Sequence, residues 1–134
     1  MRRFALTCSL AAGLVALAPV TARAALTEDD FFIKNAEDLV DLCAADPADP
    51  LYSAAIHFCH GFASGAWQFH EAQAAWPDGV RIVCVPEPPP TRNEAIAGFV
   101  AWSAAHPQHR SEPAVDALFR FLDEKWPCSK GDSK

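Results

Sequence analysis

Basic residues are scarce in this sequence of 134 residues: its 11 lysines and arginines stand against 17 aspartates and glutamates, and the formal net charge is −6. Nonspecific nucleic-acid binding needs a basic surface, so the charge argues against that class of function. β-branched runs are also scarce, since the only one lies at residues 81–85 and is short. No repeat of roughly 20–50 residues is present, which excludes a solenoid.

Long hydrophobic runs are missing after the N-terminal segment. No stretch of about 18 or more apolar residues occurs there, so no membrane-spanning helix is predicted in that part of the chain. The hydrophobic fraction of 51% is nevertheless too high for a disordered chain, and the length predicts a single domain. The sequence therefore predicts one small, acidic, globular domain.

The N-terminal segment, residues 1–24, has the pattern of a signal peptide. Arg2 and Arg3 precede an apolar run over residues 4–18, and Ala-Arg-Ala at residues 22–24 gives the small-x-small pattern that signal peptidase cleaves. A membrane anchor is less favoured, because the apolar run is short and is interrupted by polar residues. We therefore expect export to the periplasm, cleavage near Ala24 and a single mature domain over residues 25–134.

Four cysteines remain after cleavage: Cys43, Cys59, Cys84 and Cys128. An even number in a small exported domain predicts two disulfides. Zinc sites usually contain closely spaced cysteine pairs, and the intervals of 16, 25 and 44 residues contain none. Four cysteines allow three pairings. An antiparallel hairpin of the last two helices would bring Cys84 and Cys128 to the same end, which favours a Cys84–Cys128 bond together with Cys43–Cys59.

Hydrophobic periodicity predicts four amphipathic helices, and hence an all-α, disulfide-stabilised bundle of about four helices around one core. The first is predicted over residues 27–42, with Thr27 as its N-cap. The second covers residues 50–75. The third follows the capping box of Thr91 and Glu94 and ends near Ala105. The fourth begins near Ser111, with Pro113 in its first turn, and a proline-rich, extended connector over residues 83–90 precedes the third.

The second helix carries a stripe of residues spaced alternately by four and three. The stripe predicts a buried face formed by Leu51, Ala55, Phe58, Phe62, Gly65, Phe69, Ala72 and Trp76. Gly61 and Gly65 lie four residues apart on this helix. Because glycine is costly inside a helix, the pair predicts close helix–helix packing or a kink.

No pattern of catalytic or metal-binding residues stands out. His57, His60 and His70, with Glu71, fall on the second helix, but His70 lies about 15 Å along the axis from His60 at 1.5 Å per residue. No His-Glu-x-x-His motif is present. Ser64 lies within a helical stripe and not on the strand-to-helix turn that a hydrolase serine occupies. We therefore predict no catalytic residue, no metal site and no cofactor.

An ordered set of short motifs resembles the Rap/Tai immunity proteins, which are small periplasmic all-α proteins that neutralise amidase effectors of type VI secretion. The resemblance covers residues 30–128. It is carried by Leu42-Cys43, Phe58-Cys59-His60-Gly61-Phe62 with Gly65, Cys84-Val85-Pro86, His106-Pro107, Pro113-Ala114-Val115-Asp116-Ala117-Leu118 and Trp126-Pro127-Cys128.

The resemblance implies a helical domain with intramolecular disulfides, often a homodimer, that docks into the active-site cleft of a peptidoglycan-cleaving cysteine amidase. Such a protein is an inhibitor and not an enzyme. Trp67 lies off the stripe of the second helix and Trp102 lies beside the apolar face of the third. Exposed tryptophans are favoured interface anchors, so both are candidate partner contacts. The alternative is that both pack in the core or at a dimer seam.

A second function class fits the same features. A periplasmic stress or chaperone-like helical protein without a dedicated toxin partner would share the size and the disulfides. Its five histidines and many carboxylates would titrate and loosen the fold at low pH.

Export predicts a defined N-terminus. Protein recovered from the periplasm of producing cells should begin at Ala25, as measured by N-terminal sequencing and intact mass. The substitution Ala24→Leu should block cleavage, because signal peptidase requires a small residue there, whereas Arg23→Leu at the unrestricted middle position should not. A periplasmic protein that begins at Met1 would contradict the prediction.

Overall fold

The computed structural model describes residues 24–129, which form an all-α bundle. The helices are α1 (Ala36–Cys43), α2 (Tyr52–Ala74), α3 (Arg92–Ala105) and α4 (Ala114–Lys125), with short 3-10 helices at Glu28–Phe31 and Pro107–His109. The described part contains no strand and only one isolated β-bridge, between Val83 and Pro127. The predicted fold class is confirmed, whereas the predicted signal peptide lies outside the described residues apart from Ala24.

The first predicted helix, over residues 27–42, is wrong at its N-terminal end. Thr27 forms a capping box with Asp30, but it caps only the four-residue 3-10 helix. Asn35 then caps α1: its side chain accepts from the Asp38 N–H, and the Asp38 carboxylate accepts from the Asn35 N–H. The backbone of Asn35 is extended, with φ −150° and ψ 180°, so no helix can run through it. Two capping boxes in succession therefore divide the predicted helix.

Helix α1 is the most buried element of the bundle for its length, and it contacts α2, α3 and α4. Half of its eight residues are buried: Ala36, Leu39, Val40 and Leu42. Its first turn is tied to the segment before α4, because the N–H groups of Ala36 and Glu37 donate to the carbonyls of Glu112 and Arg110.

The limits of α2 agree with the prediction, and its buried face agrees in the N-terminal half, where Ala55 is fully buried and Phe58 and Phe62 pack against the core clusters. The C-terminal half of the predicted face is wrong. Phe69 and Trp76 are 61% and 58% exposed, whereas Cys59 and His70 are buried. Cys59 is bonded to Cys43 at the end of α1, so the disulfide holds the Cys59 face of α2 toward the core. His70 follows eleven residues later, which is about three turns, and therefore points the same way.

The paired glycines of α2 do not mediate close packing within the chain. A Cβ atom added at Gly61 or Gly65 would meet no neighbour within 4 Å, and both residues are exposed. The interpretation as a tight contact is therefore wrong for the described residues.

Both favoured disulfide pairings are confirmed. Cys43 is bonded to Cys59, and Cys84 is bonded to Cys128. The second bond closes a hairpin of α3 and α4, and the Cys84 N–H donates to the Trp126 carbonyl beside it. Helix α3 begins at the predicted capping box, whereas α4 begins three residues later than predicted, with Pro113 preceding the helix. None of the helices described here is long and apolar enough to cross a membrane.

Removal of the Cys84–Cys128 bond should destabilise the fold strongly. The bond closes a loop of 44 residues, and the loop-entropy relation gives about 4 kcal/mol for this length. Both cysteines are only partly buried, so replacing each by alanine leaves little cavity and destabilises the fold little beyond the loss of the bond. Urea unfolding of the Cys84→Ala/Cys128→Ala protein should show this loss, and an unchanged midpoint would contradict it.

Candidate functional site

Trp102 lies at the end of the bundle where α3 joins α4. Its indole stacks on the rings of His106 and His109, with centroid distances of 4.7 and 5.5 Å. Its Nε1 donates to a carboxylate oxygen of Glu124 at 2.6 Å. The indole is half-buried, so one part is held by its own chain and the rest faces solvent. A partly exposed, pre-ordered aromatic ring suits an interface anchor.

A charged network surrounds this tryptophan. His109 Nδ1 lies 2.8 Å from one Glu112 oxygen, and Arg120 Nε donates to the other at 3.2 Å. The hydrogen bond from His109 is the largest cause that lowers the pKa of Glu112, and Arg120 adds to it. Arg110 pairs with Glu37 of α1 at 3.6 Å. The network orders the connection between α3 and α4, and its hydrogen bonds favour the charged form of the Glu112 carboxylate.

Trp67 occupies a different position. It lines a cavity of about 300 Å³ between α2, the proline-rich connector, α3 and α4. We call this the apolar cavity; its walls include Trp67, Val85, Ile96, Leu118, Leu122 and Trp126. Trp67 also packs against the core. The two predicted partner contacts thus lie in no common cavity, and each is partly packed against its own chain.

The three histidines of α2 occupy unlike environments. His57 is exposed and its Nδ1 lies 2.6 Å from the Ser53 carbonyl. His60 is half-buried, and His70 is 5% exposed. Within residues 24–129, no three His, Cys, Asp or Glu side chains lie close enough together to hold a metal ion.

His70 lines a second cavity, of about 570 Å³, at the C-terminal end of α2. We call it the His70 cavity; it is lined by His70, Gln73, Trp76, Asp78, Val80 and Ile82. The imidazole lies between the rings of Trp67 and Phe119, at centroid distances of 5.5 and 5.2 Å. Its Nε2 is buried and has no hydrogen-bond partner.

Burial keeps His70 neutral. Desolvation is the largest cause that lowers the pKa of His70 below its ordinary value, and the positive charge of Arg81 acts in the same direction. The carboxylate of Glu71 and a hydrogen bond with the Val83 backbone oppose this shift.

Sequence reasoning missed the His70 cavity. The stripe on the second helix predicts that Phe69 and Trp76 are buried, whereas both are exposed. The residues after Trp76 indicate only the end of the helix and no cavity. The available signal was Cys59: a disulfide-bonded cysteine faces the core, and His70 lies on the same face about three turns further along the helix.

The family model of the Rap1a immunity proteins matches residues 35–128. The matched region begins at the residue that caps α1, includes all four α-helices and both disulfides, and spans more than half of the chain. No curated protein and no solved structure matches the chain significantly.

The buried His70 should make stability depend on pH. Its folded-state pKa is lowered from 6.5, so below that pH the unfolded chain binds the proton more readily than the folded chain. The neutral ring contributes its full stabilisation above about pH 6.5. This contribution is lost as the pH falls through the lower pKa that His70 has in the folded state.

The substitution His70→Phe removes this titration and leaves the other four histidines in place. Urea unfolding at a series of pH values between neutral and acidic should give a shallower decrease for the variant than for the wild type. Parallel curves would contradict the assignment.

Proposed function

Because the chain belongs to the family of Rap1a immunity proteins, we propose that it is an exported immunity protein that binds and inhibits a peptidoglycan-cleaving amidase effector of type VI secretion. The family match over all four helices and both disulfides is the observation that carries the proposal. An immunity protein acts against an effector, so the partner is a protein. Three further points are part of the proposal: that the effector is an amidase, that type VI secretion delivers it, and that the chain acts in the periplasm.

The disulfides support action in the periplasm. Both bonds lie within the folded chain, and such bonds form and persist in oxidising compartments. Peptidoglycan lies in the periplasm of a Gram-negative cell, so an amidase that cleaves it must be neutralised there. The predicted signal peptide would deliver the chain to that compartment.

The net negative charge of the chain supports a basic protein as the partner. The full chain carries −6, and cleavage after Ala24 removes three arginines and no acidic residue, which leaves the mature domain near −9. An acidic surface accelerates association with a basic protein and disfavours unsuitable partners. Inhibition then requires no chemistry from this chain. The bound chain covers the active-site cleft of the amidase and excludes the peptidoglycan substrate.

Trp102 and Trp67 are the proposed partner contacts. Trp102 carries the stronger geometric support, because its own chain already orders the ring through two stacking contacts and one hydrogen bond. An ordered aromatic side chain loses little conformational entropy on binding.

Titration of a type VI cysteine amidase with mature residues 25–134 tests the proposal. Peptidoglycan hydrolysis should fall to zero at one immunity chain per amidase. Trp102→Ala should raise the Kd at least tenfold, since interface anchors contribute about 2 kcal/mol or more. Val115→Ala is the matched control, because Val115 is exposed and lines neither cavity.

Folding of both variants is verified by urea unfolding, because Trp102 also contacts its own chain. The test uses several amidases of this effector class, each with an excess of the folded, disulfide-bonded chain. Full amidase activity in all of these mixtures would contradict the proposal.

A further inference from the structure

The apolar cavity is a recess between four parts of the chain, with walls that are mainly hydrocarbon. Leu118 and Leu122 of α4 are buried, whereas Trp67, Ile96 and Trp126 are only partly buried. Its volume of about 300 Å³ lies within the range of small-molecule sites in proteins. Such sites combine apolar walls with a few polar groups that orient the ligand.

The connector that forms one wall of the cavity is constrained at both ends. The Cys84–Cys128 bond ties its beginning to the segment after α4, and the Cys84 N–H donates to the Trp126 carbonyl. At its other end the wall contains Pro89 and Pro90, whose rings restrict the backbone. These constraints oppose collapse of the connector onto α2 and keep the recess open.

The polar groups of the cavity wall include several hydrogen-bond donors without partners. Arg92 is the only charged residue in the wall, and it forms no ion pair within residues 24–129. Among the tryptophans of the described chain, only Trp102 donates a hydrogen bond from Nε1. The Nε1 atoms of Trp67 and Trp126 are therefore unpaired there. The other polar residues of the wall are uncharged: Ser64, Gln68 and Thr91.

The charge at the cavity is opposite to the net charge of the chain. The full chain carries −6, yet the wall contains one guanidinium and no carboxylate. The nearest acidic residue along the chain, Glu94, is engaged by the hydroxyl and N–H of Thr91. An anionic ligand could accept charge-assisted hydrogen bonds from Arg92, whereas a cationic ligand would meet no carboxylate in the wall.

The hydrocarbon walls and the volume define the body of the ligand. Peptides and sugars carry polar groups along their whole length, and these groups would lose hydrogen bonds against Ile96, Leu118 and Leu122. An unbranched alkyl chain has no such groups. The 300 Å³ of the cavity equals the liquid volume of about ten water molecules. Because a methylene group is of similar size, one chain of about ten carbons fits.

We infer that the apolar cavity binds the anion of a medium-chain fatty acid, with the alkyl chain against the apolar wall and the carboxylate at Arg92. This ligand is distinct from the effector. The inference therefore goes beyond the proposed function and does not depend on it.

Decanoate is the probe, and decyltrimethylammonium is the matched compound with the same chain and the opposite charge. Both are titrated below micelle formation into the mature protein, and the indole N–H resonances of the tryptophans are followed by NMR. Decanoate should shift Trp67 and Trp126 saturably and leave Trp76 and Trp102, which do not line the cavity, in place.

The affinities should separate the contributions of charge and chain. Decanoate should bind about tenfold more tightly than decyltrimethylammonium, because only the anion is paired with Arg92. Butyrate should show no saturable binding at the same concentrations, since each buried methylene group contributes about a fourfold increase in affinity.

Two pairs of variants locate the site. Arg92→Gln should weaken decanoate about fivefold or more and remove the preference over decyltrimethylammonium, and glutamine is as compatible with a helix as arginine. Lys34→Gln removes the same charge from an exposed position outside the cavity and should change neither affinity. Ala95→Leu fills part of the cavity and should weaken decanoate about tenfold or more, whereas Ala97→Leu, on an exposed position of the same helix, should not.

Folding of each variant is verified by urea unfolding, and Arg92→Gln keeps the test decisive if Ala95→Leu does not fold. Equal binding of decanoate and decyltrimethylammonium by the wild type would overturn the inference, as would shifts spread over all four tryptophans. Vesicles of phosphatidylglycerol should leave Trp67 and Trp126 unperturbed, because the cavity has room for only one alkyl chain. Perturbation of these two indoles by vesicles but not by decanoate would assign the surface to membranes and overturn the fatty-acid ligand.

Discussion

The packing of α1 between the three longer helices is the constraint on which the rest of the structure depends. A helix of eight residues is too short to be stable alone in water, so α1 exists because half of its residues are buried. Backbone hydrogen bonds hold its first turn and the disulfide to Cys59 holds its last residue. That disulfide also determines which face of α2 is turned inward, and hence places His70 inside and Phe69 outside.

The sequence predicts this structure best where the signal is local. The Thr91–Glu94 capping box places the start of α3, and the cysteine positions around an antiparallel hairpin favour the pairing that is observed. Prediction fails where two local signals compete, as at Thr27 and Asn35, each of which satisfies a capping box. It also fails in the C-terminal half of α2, where large apolar residues occur on several faces and only the tertiary contact through Cys59 selects one.

Two features of the described surface stand out. One is the ordered indole of Trp102 beside the network of His109, Glu112 and Arg120, and the other is the His70 cavity with the exposed side chains of Trp76, Val80 and Ile82. The first was foreseeable, since tryptophan is a common anchor. The second was harder to foresee: the spacing from Cys59 indicates that His70 is buried, but the missing partner of its Nε2 has no sequence signature.

Survival of cells that receive an amidase in the periplasm tests the central claim most directly. Cells that produce the full chain should keep their walls intact and survive delivery of the cognate type VI amidase. Cells that produce only residues 25–134 in the cytoplasm should lyse, because the inhibitor and the enzyme are then in different compartments. Lysis despite a folded, disulfide-bonded periplasmic chain, tested against amidases of this effector class, would contradict the account.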